Sequence, residues 1–484
     1  MHLLAKRTVL LLNPNRMRPP IAPIGIEYLL PGLEEAGYGV DVCDLTFSED
    51  WRATLHHALS ISPYNAILVT VRNLDDAYFA SQDFILDQTL AIIKEVRLYT
   101  SAPIILGGVG FSIAPCEVLR YTGADYGIAG DGEGALPTLL ESLHQAGDAL
   151  TIPGVVARDA EGNVRQNGWA MVAQLRDPNR QTLDHSRYFA EGGQCGLETK
   201  RGCPRSCTYC VEPVTKGRQV RLRQPEALVA ECRDFLERGI HVFHTCDSEF
   251  NLPHAHAAAV CQAFIDADIG KHMRWYAYAY PMPFDTTLAR LMARAGCVGI
   301  NFGVDHTDPD QLRRLGRQDY TLDDLQTTVQ ACREADIKVM FDLLLGGPGE
   351  TRSTLRGVIE SVRALTVDCV GLSCGVRVYP HTPLATQVRR SGPLADNPHL
   401  HGCVEDNDDF LKPVFYVDAG LNGDIHDLTS ELVGGDPRFL HANPNELAGN
   451  YNYNDNSTLS QAIRGGARGA YWDILQSEKK SKQL

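Results

Sequence analysis

The chain lacks any run of about eighteen apolar residues, the length a bilayer-spanning helix needs, so no membrane span is expected. It also lacks a basic excess. Its 45 Lys and Arg stand against 60 Asp and Glu, a formal charge of −15, whereas nucleic-acid surfaces are normally net positive. Short basic stretches such as Arg313-Arg314 and Lys479-Lys480-Ser481-Lys482 therefore read as solvated faces or tail. An acidic surface suits a polar, cationic small-molecule substrate and keeps the protein soluble. No cleavage pattern separates Met1–Arg7 from the strand-like Thr8–Asn13, so a secretory leader is not expected. The 14 cysteines then read as reduced thiols and the compartment as cytoplasmic. Finally, the Cys-x2-Cys pair at Cys207 and Cys210 has no second such pair elsewhere, as a closed zinc site would want.

What is present is a long globular chain: 484 residues, 44% hydrophobic and 22% charged, enough for about three domains. Over residues 1–150 the apolar runs Val9–Leu12, Gly39–Asp44, Ala66–Val71 and Pro103–Gly108 alternate with helix-length segments. That rhythm predicts a doubly wound parallel sheet with its ligands at the carboxyl ends of the strands. Glycine and turn residues collect at those ends, in Asn13-Pro14, Gly107-Gly-Val-Gly110 and Ala129-Gly-Asp-Gly-Glu-Gly134. They either admit a ligand close to the backbone or merely close tight turns. Residues 151–190 are polar and turn-rich and are expected to connect two domains. Over residues 191–390 a second strand-helix rhythm predicts a partial (β/α) barrel of the TIM type, with its chemistry at the carboxyl strand ends. Residues 391–484 are rich in Asn, Asp and His, as in Asn397-Pro-His-Leu-His401, Glu405–Asp409 and Tyr451–Asn456. They are expected to form a C-terminal cap, with a disordered end after Trp472.

The most specific pattern is Cys203-x3-Cys207-x2-Cys210. Three thiolates at this spacing can converge on one soft metal centre, and three ligands on a four-iron cube leave one iron open to a further molecule. With Tyr209 directly before the third cysteine, the motif resembles the signature of the radical S-adenosylmethionine (SAM) enzymes. The resemblance implies a 4Fe-4S cluster on Cys203, Cys207 and Cys210, with SAM on the open iron. It also implies reductive cleavage of SAM to a 5'-deoxyadenosyl radical and an external electron donor such as flavodoxin or ferredoxin. The order Pro23-Ile-Gly25, Gly107-Gly108, Gly130-Asp-Gly-Glu133 is similar to the cobalamin-binding-type domain that precedes the radical domain in one large subfamily. That admits cobalamin as a further cofactor without requiring it. No Asp-x-His-x-x-Gly is present, so a lower axial histidine is not indicated.

Further residues follow from the resemblance. Asp247-Ser-Glu-Phe-Asn251 stands where the family holds the SAM amino group, with Glu249 and Asn251 as candidates. Asp305 stands where a glutamate usually lies near the ribose, the Gly346-Gly-Pro-Gly-Glu-Thr351 turn where adenine packs, and Arg377 is a candidate for the carboxylate. Each segment alone also reads as a strand-to-helix turn. Tyr276, Tyr278 and Tyr280 alternate and share one strand face, either lining the substrate cavity or filling the core. Glu212, two residues after Cys210, serves as general acid or base or else only fixes the loop.

Within this chemistry the first expectation is hydrogen abstraction from a polar small molecule and loss of water, as in a radical SAM diol-dehydratase acting on a paromamine-like aminoglycoside in antibiotic biosynthesis. The alternative is cobalamin-dependent radical SAM C-methylation. A non-catalytic iron-sulfur protein is a third reading, which the barrel pattern and the SAM-like segments disfavour.

Overall fold

The computed structural model describes residues 7–442, Pro444, Asn454 and residues 456–481. The first sheet contains β1 (Thr8–Asn13), β2 (Gly39–Asp44), β3 (Ala66–Thr70), β4 (Ile104–Gly107), β5 (Tyr126–Ile128), β6 (Val155–Arg158) and β7 (Val164–Gln166), in the order 2-1-3-4-5-6-7. Strands β1 to β5 are parallel and β6 and β7 antiparallel. The segment Val9–Asn13 is buried residue by residue, as expected of a parallel strand covered by helices on both faces. The sheet extends past the expected limit at residue 150: β6 and β7 come from the stretch read as a connector. Val155 and Val156 are fully buried there, a short apolar signal that the surrounding polar turns conceal.

The second sheet contains β8 (Cys195–Leu197), β9 (Val242–Thr245), β10 (Arg274–Ala279), β11 (Cys297–Asp305), β12 (Lys338–Leu345), β13 (Cys369–Cys374) and β14 (Phe439–His441). All seven are parallel and run in the order 8-9-10-11-12-13-14, an open (β/α) barrel. Strand β14 arrives from the C-terminal region, so that region contributes to the barrel as well as capping it. Helices pack outside on a continuous apolar core that includes Phe243, Trp275, Phe302 and Phe341.

The barrel's inner face is closed at the strand starts by the C-terminal helices Ser457–Arg464 and Tyr471–Ser481. Leu459, Ile463, Tyr471, Trp472, Ile474 and Leu475 pack on Val242, Tyr276, Met340, Cys369 and Leu440. The disordered end expected after Trp472 is therefore a helix as far as Ser481. Within it Lys480 is exposed, Lys479 Nζ donates to Phe439 O at 3.0 Å, and Asp473 accepts from Tyr276 Oη at 2.8 Å and from Lys338 Nζ at 2.6 Å. Most of the expected loop Tyr451–Asn456 lies outside the described residues.

A buried ionic network joins the two sheets. Glu27, fully buried on the helix Ile24–Glu35, binds Arg180 and accepts from His185 Nε2 at 2.6 Å. Arg180 continues to Glu231, which also binds Arg223 at 2.7 Å. Nearby, Arg201 Nη1 bridges Asp131 (2.7 Å) and Glu133 (2.6 Å), while its Nη2 holds Glu198 (2.9 Å). The Gly130–Glu133 turn is thus a clamp onto the strand that leads to Cys203.

Candidate functional site

The three cysteines lie on a loop leaving the short strand Lys200–Arg201. Gly202 turns the chain at φ +104°, where a side chain would stand 2.3 Å from Gln219 O. Cys203 N donates to Gly217 O (3.0 Å) and Thr208 N to Leu315 O (3.0 Å), while Leu384 N donates to Thr208 O (2.9 Å). Cys203 and Cys207 are buried and Cys210 is half-buried. Burial pushes all three thiols up, and for Cys207 the Arg317 guanidinium, with Nη1 at 3.4 Å from Sγ, works in the opposite direction. Ligation would displace their protons. Among the described residues no three His, Cys, Asp or Glu groups are gathered around a single ion. Three thiolates on one short loop can serve three irons of a four-iron cube and leave the fourth open, and this donor set fits such a cluster.

Within Asp247–Asn251 the structure separates the roles. Asp247 accepts from Thr199 N (2.8 Å) and Lys200 N (3.1 Å). Asn251 spends both amide hydrogens on Tyr280 O (2.9 Å) and Pro283 O (2.8 Å) and accepts from Tyr280 N (2.9 Å). Asn251, expected at the SAM amino group, is a backbone brace. Glu249 alone of the two candidates offers a carboxylate with no hydrogen bond or ion pair among the described residues; burial pushes it up to about 7 against the pull of Arg317 and Lys200.

Other expectations need correction. Arg377, a candidate for the SAM carboxylate, is already held by other protein groups. Nε and Nη2 bind Asp75 (2.9 and 2.8 Å), Nη2 also reaches Phe410 O (3.1 Å) and Leu411 O (3.2 Å), and Nη1 donates to Val378 O (2.5 Å). Its guanidinium is saturated as a staple between the first domain and the cap. Glu212 accepts from Lys216 Nζ (2.9 Å) and Ser248 Oγ (2.5 Å), and these partners hold its carboxyl below the ordinary range although burial opposes them. An ionised, paired carboxylate is no general acid. Asp305, at φ +60° on a bulge of β11, accepts through Oδ2 from Tyr209 Oη (2.5 Å) and pairs with Arg317 Nε (3.1 Å). Asp305 and Tyr209 thus clamp the cysteine loop. Gly346 has φ +90°, and a side chain there would meet Ile425 Cδ1 at 2.8 Å. Its N–H donates to Glu350 (2.6 Å), itself held by His306 (2.9 Å). The turn is rigid, with Leu315 and Val376 beside Gly347.

Of the three tyrosines, Tyr276 is core, Tyr280 is stacked between Arg205 and Arg317, and Tyr278 remains 42% exposed on the barrel's inner face. His244 lies 4.9 Å from Tyr278 between ring centroids, and its Nδ1 is 2.9 Å from Thr245 O. Arg72, Asp342 and Cys246 all exert charge effects on Tyr278, and Arg72 also acts on Tyr471. Arg72 follows the carboxyl end of β3, makes no ion pair among the described residues, and is pulled down by burial. Sequence reasoning missed Arg72, His244 and Arg317. The available signals were a charge directly after the apolar run Ala66–Val71, an inward alternation with Val242, and a residue directly after the helix-ending Gly316.

The loop after β3 carries the first domain into the barrel mouth: Phe79 stacks on His426 (5.5 Å) and lies where a side chain at Gly375 would be (3.1 Å). The ends of β3 and β4 face the same space. Gly107 has nothing within 4 Å of its absent side chain, Val109 is 42% exposed, and Gly108 at φ +98° brings its backbone against Val71 O. This open, apolar, backbone-lined edge fits a broad flat group such as a corrin.

Burial lowers His244 from its ordinary 6.5 to about 4, so the ring is neutral at pH 7. The unfolded chain takes up this proton below pH 6.5 and the folded chain only near pH 4. Stability from this group is complete above pH 6.5 and declines as the pH falls from 6.5 to 4, by up to about 3 kcal/mol. Urea midpoints across that range should fall for the parent protein and fall less for His244→Gln; parallel profiles would contradict the assignment.

Comparison with known proteins places two family models on this architecture: the B12 binding domain on residues 16–140 and the radical SAM superfamily on residues 197–362. The tryptophan 2-C-methyltransferase of Streptomyces laurentii is 33% identical over 446 residues, 79% of this chain and 74% of that protein. The radical SAM methyltransferase TsrM from Kitasatospora setae, solved with tryptophan and a SAM analogue, superposes with a TM-score of 0.90 at 30% identity over 99% of both chains. A second structure of it, holding cobalamin and a 4Fe-4S cluster, gives 0.89. The cobalamin-dependent enzyme OxsB, at 15% identity and a TM-score of 0.72 over 99% of this chain and 71% of that one, shares the fold.

Proposed function

Since the chain belongs to the radical SAM superfamily and carries a B12 binding domain ahead of the radical domain, we propose that it is a cobalamin-dependent C-methyltransferase acting on tryptophan or a closely related indole. The observation that carries this reading is the superposition of the whole chain, not of the barrel alone, on a methyltransferase solved with tryptophan. Dehydration of an aminoglycoside diol, the first expectation from the sequence, has no comparable support.

In this reading, Cys203, Cys207 and Cys210 hold the cluster and the open ends of β3 and β4 hold the corrin. When bound, the cluster offers a coordination position for SAM and the corrin a cobalt that can carry a methyl group. The protein's own groups position the reactants. Glu249 takes the SAM amino group, Arg317 and Asp305 fix the cysteine loop, and the Gly346–Glu350 turn provides a rigid wall for adenine. Tyr278 and neutral His244 face the acceptor from the barrel, and Arg72 faces it from the first domain. Methylation puts a methyl group in place of a ring hydrogen, which leaves as a proton.

The test is anaerobic purification, cluster reconstitution and cobalamin loading, followed by incubation with SAM and tryptophan. C-methyltryptophan with S-adenosylhomocysteine is the expected product pair. Loaded enzyme that methylates no indole but dehydrates a polyol with 5'-deoxyadenosine formed would overturn the reading. Tyr278→Ala should raise the KM for tryptophan about tenfold, a loss near 1.4 kcal/mol in the range of one aromatic contact, while Tyr278→Phe should stay within about threefold.

A further inference from the structure

The ring hydrogen that methylation displaces has to leave the acceptor as a proton, and a base must take it. Among the ionisable groups that act on Tyr278 or touch its ring, Arg72 is a cation, and burial pushes up both Tyr278 itself and the Cys246 thiol, so both keep their protons. Two bases remain. Asp342 on β12 already accepts from Asn301 Nδ2 at 2.7 Å. His244 on β9 has its ring centroid 4.9 Å from that of Tyr278. The fold sets its tautomer: Nδ1 lies 2.9 Å from Thr245 O, a carbonyl that can only accept, so the ring proton sits on Nδ1 and the lone pair on Nε2. Nε2 makes no hydrogen bond or ion pair among the described residues, and burial keeps the ring neutral at pH 7. The imidazole also lines a small cavity at the edge of the barrel floor, with Gly192, Gly193, Gln194, Tyr276 and Arg468. Gln194 and Arg468 are half-buried, so this cavity leads from the ring towards solvent. Arg468 is held at its rim by the carbonyls of Phe189, Ala190, Ile463 and Ala467.

We propose that His244 is a catalytic residue, the base whose Nε2 takes the proton from the methylated ring carbon, and that the floor cavity returns this proton to solvent. The assignment rests on the reading of the chain as an indole C-methyltransferase. The step balances as follows. SAM supplies the methyl group and keeps the C–S bonding pair on sulfur, so the ring carries one positive charge while its carbon holds both methyl and hydrogen. The C–H bond then breaks, its electron pair restores the aromatic ring, and the proton forms a bond with the Nε2 lone pair. The imidazolium keeps Nδ1–H on Thr245 O and releases the Nε2 proton through the cavity. A cationic ring carbon is a strong acid, so a weakly basic imidazole suffices, provided that it is in place and unprotonated.

The experiment uses the reconstituted, cobalamin-loaded full-length enzyme with tryptophan and with tryptophan deuterated at every indole ring carbon. In the parent, proton loss follows the slower methyl transfer and both substrates should react at the same rate. His244→Gln should lower kcat about a hundredfold, change KM by less than about threefold, and make the deuterated substrate slower by about twofold or more, because C–H cleavage has become the slow step. Iron content and visible absorption at the parent values show that the variant is folded. His244→Ala should behave in the same way and recover rate when imidazole is added, which a structural side chain would not do. An unchanged kcat in His244→Gln overturns the proposal, and so does a lowered kcat without an isotope effect. An isotope effect that appears in Asp342→Asn instead gives the role to the carboxylate. A parent that methylates no indole rejects the acceptor reading, whereas parental methylation with none of these changes in the variants rejects His244 alone.

Discussion

Cys207→Ala is expected to yield a folded protein that assembles no intact four-iron cluster and forms no methylated product above background. Three protein thiolates are the minimum that holds the cube while leaving one iron for SAM, so losing one leaves two irons without a protein ligand. Cys207 is also the thiol that the surrounding charge favours, with Arg317 Nη1 at 3.4 Å and Arg317 itself fixed by Asp305. Iron and acid-labile sulfide content, together with the visible absorption of the reconstituted protein, provide the measurement. Cys232→Ala is the internal control. Cys232 is fully buried in the barrel's outer core, so its loss should lower stability modestly and leave the iron content at the parent value. A Cys207→Ala protein with parental iron and sulfide would sink the cluster assignment.

The second large effect concerns the junction of the two domains. Glu27→Ala is expected to destabilise the protein by about 3 kcal/mol, because removing one member of a buried charge network leaves the others desolvated and unpaired. Glu27 is fully buried between Arg180 and His185. Without it, Arg180 keeps only Glu231 as an acidic partner, at 3.1 Å, and the His185 ring loses the carboxylate that fixes it. Chemical denaturation followed by near-ultraviolet circular dichroism would show the loss. A change below about 1 kcal/mol would mean that the network contributes little beyond what solvent could replace. Arg223 of this network also donates to the backbone O of Glu198, whose carboxylate binds Arg201, so a loosened junction should also weaken retention of cobalamin.

The corrected residues share a physical origin. Arg377 and Asn251 are candidates because polar residues at carboxyl strand ends of a barrel are where chemistry collects, and Glu212 because it lies two residues after Cys210. Whether such a residue is available to a ligand depends on who already holds it. For Arg377 the holder is Asp75, 302 positions earlier in the chain. For Asn251 it is the backbone of Tyr280 and Pro283, and for Glu212 it is Lys216 and Ser248. Only the last pair includes a partner at helical spacing. Glu249 shows the converse: it is set apart from Asp247 and Asn251 within one short motif by making no hydrogen bond or ion pair among the described residues, a property no spacing rule encodes.

The sequence by itself determined the cysteine loop, the parallel α/β architecture of both domains and their order. These depend on contacts within a few residues and on apolar periodicity, which are written along the chain. It left undecided what the strand ends do. Tertiary structure placed Arg72 and the loop after β3 in the barrel mouth, closed the barrel floor with a helix read as a disordered end, and spent Asp131 and Glu133 on Arg201. Those outcomes depend on pairings across tens to hundreds of residues. Burial there makes a charge either costly and partnered or available for chemistry, and only the packed fold fixes which of the two it is.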